Sequence, residues 1–109
     1  MTIYNSVGLN STFHALGDES RREILRSIRE NNQCTAGELV KLFDSSQPTI
    51  SKHLKVLEKA KLVERKIEGR LHYFTLCLEG ITEAEQWMSR HLGFWNHSLD
   101  RLDKFLDED

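Results

Sequence analysis

Cysteine is scarce. Cys34 and Cys77 are the only two, too few and too far apart for a disulfide framework or a four-cysteine zinc site. Proline occurs once, at Pro48, and six glycines are too few for a collagen-like or low-complexity chain. No apolar run approaches the roughly 18–20 residues of a membrane span, so no membrane partner is expected. The opening Met1-Thr2-Ile3-Tyr4-Asn5-Ser6 has no basic stretch leading into an apolar one. The expectation is therefore no secretory signal and a cytoplasmic location. Catalytic signatures are missing too: there is no Gly-rich phosphate loop, no Gly-x-Ser-x-Gly elbow and no His-Glu-x-x-His. Histidines and serines are scattered without paired spacing, and no enzyme activity is expected.

What is present, 39% hydrophobic and 29% charged over 109 residues, suits one ordinary globular domain spanning 1–109. At that length folding hides roughly 65% of the unfolded chain's surface, enough for one modest core. The net charge of −2 argues weakly against a polyanion partner when taken as one number. Its distribution argues otherwise. Residues 46–72 carry seven Lys or Arg against three Glu, a net +4, whereas residues 79–109 carry three basic against eight acidic groups. A local field steers a polyanion more than the total does.

The hydrophobic pattern is helical over most of the chain. Val7, Leu9, Phe13 and Leu16 suggest a first helix, closed by Gly17 as a left-handed cap. Asp18 followed by Glu19-Ser20-Arg21-Arg22 has the form of an N-cap with an acidic first turn, and Ile24, Leu25 and Ile28 continue that second helix. Thr35-Ala36-Gly37-Glu38 is a capping box for a short third helix burying Leu39, Leu42 and Phe43. Asp44-Ser45-Ser46 breaks it and caps a fourth, with Pro48 in the first turn, where a missing N–H costs nothing. Ile50, Leu54 and Leu57 fall at i, i+4 and i+7.

A short helix, a tight polar turn and a second helix over about 35–60 is helix-turn-helix punctuation. Over about 62–76 two runs, Leu62–Ile67 and Leu71–Leu76, are separated by Glu68-Gly69-Arg70 and predict a hairpin. The fold expected is a winged helix-turn-helix, mainly α with a β-hairpin wing, of about five helices and a two-stranded wing.

On the fourth helix Leu54 and Leu57 lie within about 40° of Ile50, while Lys52, Lys55 and Lys59 lie at roughly 140–200°. Such lysines are often merely solvated. Here the helix-turn-helix punctuation and the basic hairpin favour contact with DNA. Ser46, Gln47, Thr49 and Ser51 are small or amide side chains suited to base edges and phosphates, Lys52 and Lys55 to the flanking backbone. Lys66 and Arg70 stand where a wing touches phosphate or minor groove, Arg70 at its tip and Lys66 beside Arg65 on its strand.

Residues 81–107 predict one long helix, with Gly93 as a place for it to bend. It carries Trp87, Met88, Leu92, Phe94, Trp95, Leu99, Leu102, Phe105 and Leu106, more large apolar side chains than some 75 other residues can cover. Each one left in water forgoes about 1.5–3 kcal/mol. A second copy solves this. Phe13, Trp87, Met88, Leu92, Trp95, Leu99 and Leu102 are the candidate dimer residues.

The run Phe13-His14-Ala15-Leu16-Gly17-Asp18, the following Ser20-Arg21-Arg22-Glu23-Ile24-Leu25, and Ser46-Gln47-Pro48-Thr49-Ile50-Ser51-Lys52-His53-Leu54-Lys55-Val56-Leu57 resemble the ArsR/SmtB family of bacterial repressors. Glu68-Gly69-Arg70 and Tyr73-Phe74-Thr75-Leu76 are similar to that family's wing. The resemblance covers about residues 13–78. It implies a homodimeric repressor that binds a pseudo-palindromic double-stranded operator, and often one that an effector releases. The effector here is unknown.

Many relatives sense metals. Where the family's thiolate site has two Cys after Glu-Leu, this chain has Val40 and Leu42. Where its carboxylate–histidine site on the last helix begins, this chain has Ala84 and Gln86, leaving only His97 and Asp100. Half a ligand set does not satisfy Zn²⁺, which takes four, so neither a metal nor another cofactor is expected. His53, on the flank of the buried stripe, is expected to be a hydrogen-bonded scaffold residue. Two rival functions stay open: a regulator that senses an oxidant through Cys34 and Cys77, or a small ligand through a pocket under Trp87 and Trp95; and a winged helix that binds only proteins.

Overall fold

The computed structural model describes residues 6–107, with the side chains of residues 8–93 and of 101, 102, 104 and 106. Five helices are laid out as α1 Ser6–Leu16, α2 Glu19–Asn31, α3 Ala36–Phe43, α4 Gln47–Lys59 and α5 Glu79–Asp107. Three strands, β1 Cys34–Thr35, β2 Val63–Glu68 and β3 Leu71–Leu76, form one antiparallel sheet in the order β1-β3-β2.

The helix boundaries follow from local chemistry. Asp18 Oδ1 accepts the Arg21 amide at 3.2 Å and starts α2. At α3 the capping box is closed in both directions: Thr35 Oγ1 accepts the Glu38 amide at 3.1 Å, and Glu38 Oε1 accepts the Thr35 amide at 3.0 Å. Asp44, in the left-handed region at φ 50°, ends α3, and Ser46 opens α4 with Pro48 in its first turn.

The long helix starts at Glu79, two residues before the apolar periodicity begins, and runs as one helix through Gly93. Its first turn lies against the turn after α4, where the Gly80 amide donates to Lys61 O at 3.1 Å. A Cβ at Gly80 would collide with the Ala60 carbonyl, so a glycine is needed there for close approach.

The core is one cluster centred on Ile24, Ile28, Leu39, Ile50, Leu54, Leu57, Leu62 and Phe74, all essentially buried. Leu42, expected inside with Leu39 and Phe43, is 60% exposed, because Ala36, Leu39, Val40 and Phe43 form the buried side of α3 and Leu42 falls about 110° from its centre.

The two-stranded wing is present as β2 and β3, and its sheet gains a third strand, since Cys34 and Thr35 pair with Phe74 and Tyr73 on the free edge of β3. One expectation is corrected. Gly17 is not a left-handed cap; the glycine with positive φ is Gly69, at 63°. The end of α1 is satisfied by arginines of α2 instead. Arg21 donates from Nη2 to His14 O at 3.0 Å and from Nε to Ala15 O at 2.8 Å, and Arg22 Nη1 donates to Leu16 O at 2.6 Å. With the last carbonyls occupied by guanidinium donors, a left-handed turn is not required to satisfy them.

Candidate nucleic-acid interface

α4 owes its orientation to its buried side. Ile50, Leu54 and Leu57 are 2%, 2% and 0% exposed, which turns Pro48, Lys52, Lys55 and Lys59 outward. His53, on the flank of that stripe, is half-buried, and its Nδ1 lies 3.4 Å from Arg21 Nη1. A guanidinium has only donors, so Nδ1 is the acceptor and His53 is a scaffold residue. Through Arg21, the end of α1 and the middle of α4 share one side chain.

The first turn of α4 is exposed from Ser46 to Thr49. Ser46 Oγ accepts the Thr49 amide at 3.3 Å and lies 2.9 Å from Thr49 Oγ1, so these two hydroxyls are already joined. Ser46 Oγ keeps capacity for one further partner and Thr49 Oγ1 for two. Gln47 and Ser51 line a groove of about 540 Å³, together with Lys55 and, from the wing, Arg70 and His72. Lys52 faces solvent. Among the described residues none of Lys52, Lys55, Lys66 and Arg70 has a carboxylate within 4.0 Å.

The wing is set beside α4 by an ion pair. Arg65 Nη2 donates to Glu58 Oε1 at 2.7 Å, its Nη1 lies 3.1 Å from His72 Nδ1, and its guanidinium sits 5.0 Å over the Phe74 ring. Arg65 thus braces the base of the hairpin, while Lys66 and Arg70 remain exposed farther along it. Glu68 pairs with Leu71, leaving Gly69 and Arg70 as a two-residue turn, and Gly69 takes the positive φ that such a turn favours.

The sequence did not point to Thr35, Ala36 and Gly37 as part of the groove wall, yet they line it. Their capping box was legible, but the pairing of β1 with β3 that brings them there was not.

The other candidates divide. Phe13 and Trp87 share one face of α1 and α5, with ring centroids 6.3 Å apart in an edge-on arrangement, and His91 stacks on Trp87 at 4.8 Å. Phe13, Trp87, Met88, Leu92 and Leu102 are each at least 36% exposed. The side chains of Trp95 and Leu99 lie outside the described residues, as do those of Phe94, His97 and Asp100.

Cys34 is buried, and desolvation, with the charge of Glu38 behind it, pushes its thiol above the ordinary range. Cys77 is only half-buried. Cys34 opposes Phe74 in the sheet, and Cys77 lies three residues beyond Phe74. That is about 10 Å along extended chain, more than the roughly 7 Å between Cα atoms that a disulfide spans. The fold does not set these thiols for an intrachain bridge.

Val40 and Leu42 carry no ligating atoms, Ala84 is buried, and among the described residues no three His, Cys, Asp or Glu side chains converge. No helix among those residues is long and apolar enough to cross a membrane.

Comparison with known proteins agrees with this geometry. Residues 18–65, from the cap of α2 into the wing, match the family described as "Bacterial regulatory protein, arsR family". The transcriptional repressor SdpR of Bacillus subtilis is 31% identical over 91 residues, covering 84% of this chain and 100% of its own. The HTH-type transcriptional regulator Rv2034 of Mycobacterium tuberculosis is 28% identical over 109 residues, covering 100% of this chain and 96% of its own. Among solved structures, an ArsR-like transcriptional regulator from Rhodococcus sp. RHA1 superposes with a TM-score of 0.77 at 27% identity, covering 100% of this chain and 99% of its own. Family and relatives are regulators of transcription, and the chain belongs to the ArsR family as a DNA-binding transcriptional regulator with a winged helix-turn-helix fold.

Proposed function

We propose that the protein is a homodimeric repressor that binds a pseudo-palindromic operator without a metal cofactor. The reading helix is α4. Gln47 and Ser51, with Ser46 and Thr49 at its start, meet base edges and nearby phosphates, and Lys52 and Lys55 hold the flanking backbone. Lys66 and Arg70 bring the wing onto the neighbouring groove. The observation that carries this reading is the uncompensated cationic ridge of α4 beside the exposed wing, opposite a buried aliphatic stripe.

Dimerisation through α1 and α5 is supported by the exposed Phe13, Trp87, Met88, Leu92 and Leu102. The radius of gyration, 17.8 Å, also favours it. A compact chain of this length has about 13 Å, so a 29-residue helix extends beyond what its own core covers. A two-fold pairing would set two α4 helices about 34 Å apart, one turn of duplex DNA.

The test is electrophoretic mobility shift of the pure protein on the DNA upstream of its own coding sequence, titrated with salt. Log affinity is expected to fall with log salt at about −0.9 per phosphate neutralised. Lys52→Ala with Lys55→Ala should weaken binding to every sequence and flatten that slope by about two phosphates, whereas Gln47→Ala should relax preference at a base. Unchanged affinity and slope in the double variant would show that another face meets DNA.

A further inference from the structure

A second groove opens on a different side, between α2, the end of β3 and the start of α5, with a volume of about 460 Å³. Its floor is Leu16, Leu25, Leu62, Leu76, Leu78 and Ile81. Leu76 and Leu78 are 36% and 67% exposed, so this floor is apolar surface facing water. Along its rim stand Arg22, Arg26 and Arg29, at i, i+4 and i+7 on one ridge of α2.

The three arginines are not equivalent. Arg26 is compensated, at 3.1 Å from Glu30 and 3.9 Å from Glu23. Arg22 donates to the uncharged carbonyl of Leu16 and keeps its full charge. Arg29 has no carboxylate within 4.0 Å among the described residues. No Asp or Glu lines the groove.

We propose that this groove is a binding site for a small amphiphilic carboxylate, an aliphatic or aromatic body with one anionic head. The volume lies within the roughly 300–1,000 Å³ of small-ligand sites, and such sites combine an apolar lining with few polar groups. The leucine floor takes the body. The guanidinium of Arg29, without a carboxylate partner among the described residues, takes the head through its fork of donors. Arg22, held on the Leu16 carbonyl about 10 Å along the helix, adds positive charge to the same rim. A neutral apolar molecule leaves the charges unused, a cation is repelled by them, and a nucleic-acid backbone has nothing to place on the leucines. The groove shares no residue with the Phe13–Trp87 face or with the reading groove. Its occupancy is therefore separable from dimerisation and DNA contact.

The experiment follows backbone amide resonances of the full chain, without DNA, during titration with decanoate below its micelle concentration. Expected are saturable shifts concentrated over residues 25–29 and 76–81, and no saturable shift with 1-decanol or decyltrimethylammonium. Arg22→Gln with Arg29→Gln should weaken decanoate by about tenfold or more, and Leu78→Asp should weaken it comparably, with thermal unfolding reporting that both variants stay folded. The site is refuted by no saturable decanoate binding, by equal binding of all three probes, by shifts centred on Phe13 and Trp87, or by undiminished affinity in the folded double variant. It is also refuted if residues 76–81 respond to protein dilution in place of decanoate, the sign that a second copy covers the groove. Because no DNA is present, each of these outcomes leaves the reading-helix assignment untouched.

Discussion

Arg21 joins three elements with one side chain. It donates to the His14 and Ala15 carbonyls at the end of α1 and to His53 on α4, and its side chain is only 11% exposed. Arg21→Ala strips those carbonyls of their donors and is expected to cost about 2–3 kcal/mol, read as a lower urea midpoint. Arg21→Lys should recover only part, because one ammonium cannot reproduce the forked geometry. Asp18 makes a second prediction at this scale. The Arg21 amide, bonded to its carboxylate, holds Asp18 below its ordinary value of 3.8. A depressed folded-state pKa means that the stabilising contribution is present above the unfolded value and is lost as pH falls through the folded one. Asp18→Asn retains a capping oxygen but not the charge, so it should be less stable than the parent near neutrality, and the two should converge as pH falls through the folded-state value of Asp18. Urea unfolding at a series of acid pH values checks this.

At the scale of the element, what matters is how α5 and the wing are anchored. The α4–β2 turn carries Lys61 at φ 58°, and the Lys61 carbonyl receives the Gly80 amide, so α5 begins where α4 ends. Gly80→Ala should cost about 1–3 kcal/mol by overpacking against the Ala60 carbonyl, measured as a drop in thermal midpoint with little change in helical content. The wing is held differently, through the Arg65–Glu58 ion pair and the stacking of Arg65 on Phe74. Arg65 is thus already engaged in holding the wing, while Lys66 and Arg70 stay exposed along it with no carboxylate within 4.0 Å among the described residues.

For the whole molecule, the aromatic face shared by α1 and α5 is, besides the groove of Leu76 and Leu78, an apolar surface that a lone chain leaves uncovered. Trp87 is 36% exposed and edge-on to Phe13, so Trp87→Glu places a charge in the middle of that face without entering the core. Sedimentation should show the parent as a dimer and Trp87→Glu as mostly monomer. Operator affinity should fall by about tenfold or more, because the two reading helices no longer bind as one unit.

Periodicity and capping residues were enough to mark the five helices, the hairpin and the outward ridge of Lys52 and Lys55. Each of those signals is carried by residues within a turn or two of one another, where geometry follows from spacing. The short strand β1 was invisible, because two residues hold no pattern and their partners, Phe74 and Tyr73, stand some forty positions away. So was the closure of α1 by Arg21 and Arg22, which replaced the turn that Gly17 suggested. The groove between α4 and the wing was half legible: Gln47, Ser51, Lys55 and Arg70 were marked as candidates from the sequence and line it, while Thr35, Gly37 and His72 entered only through the sheet. Local spacing determined which side of each helix is apolar and which side carries charge. Only the packing of distant segments decided what each of those sides meets, because a charge compensated by Glu58 and a charge left open to a ligand look alike along the chain.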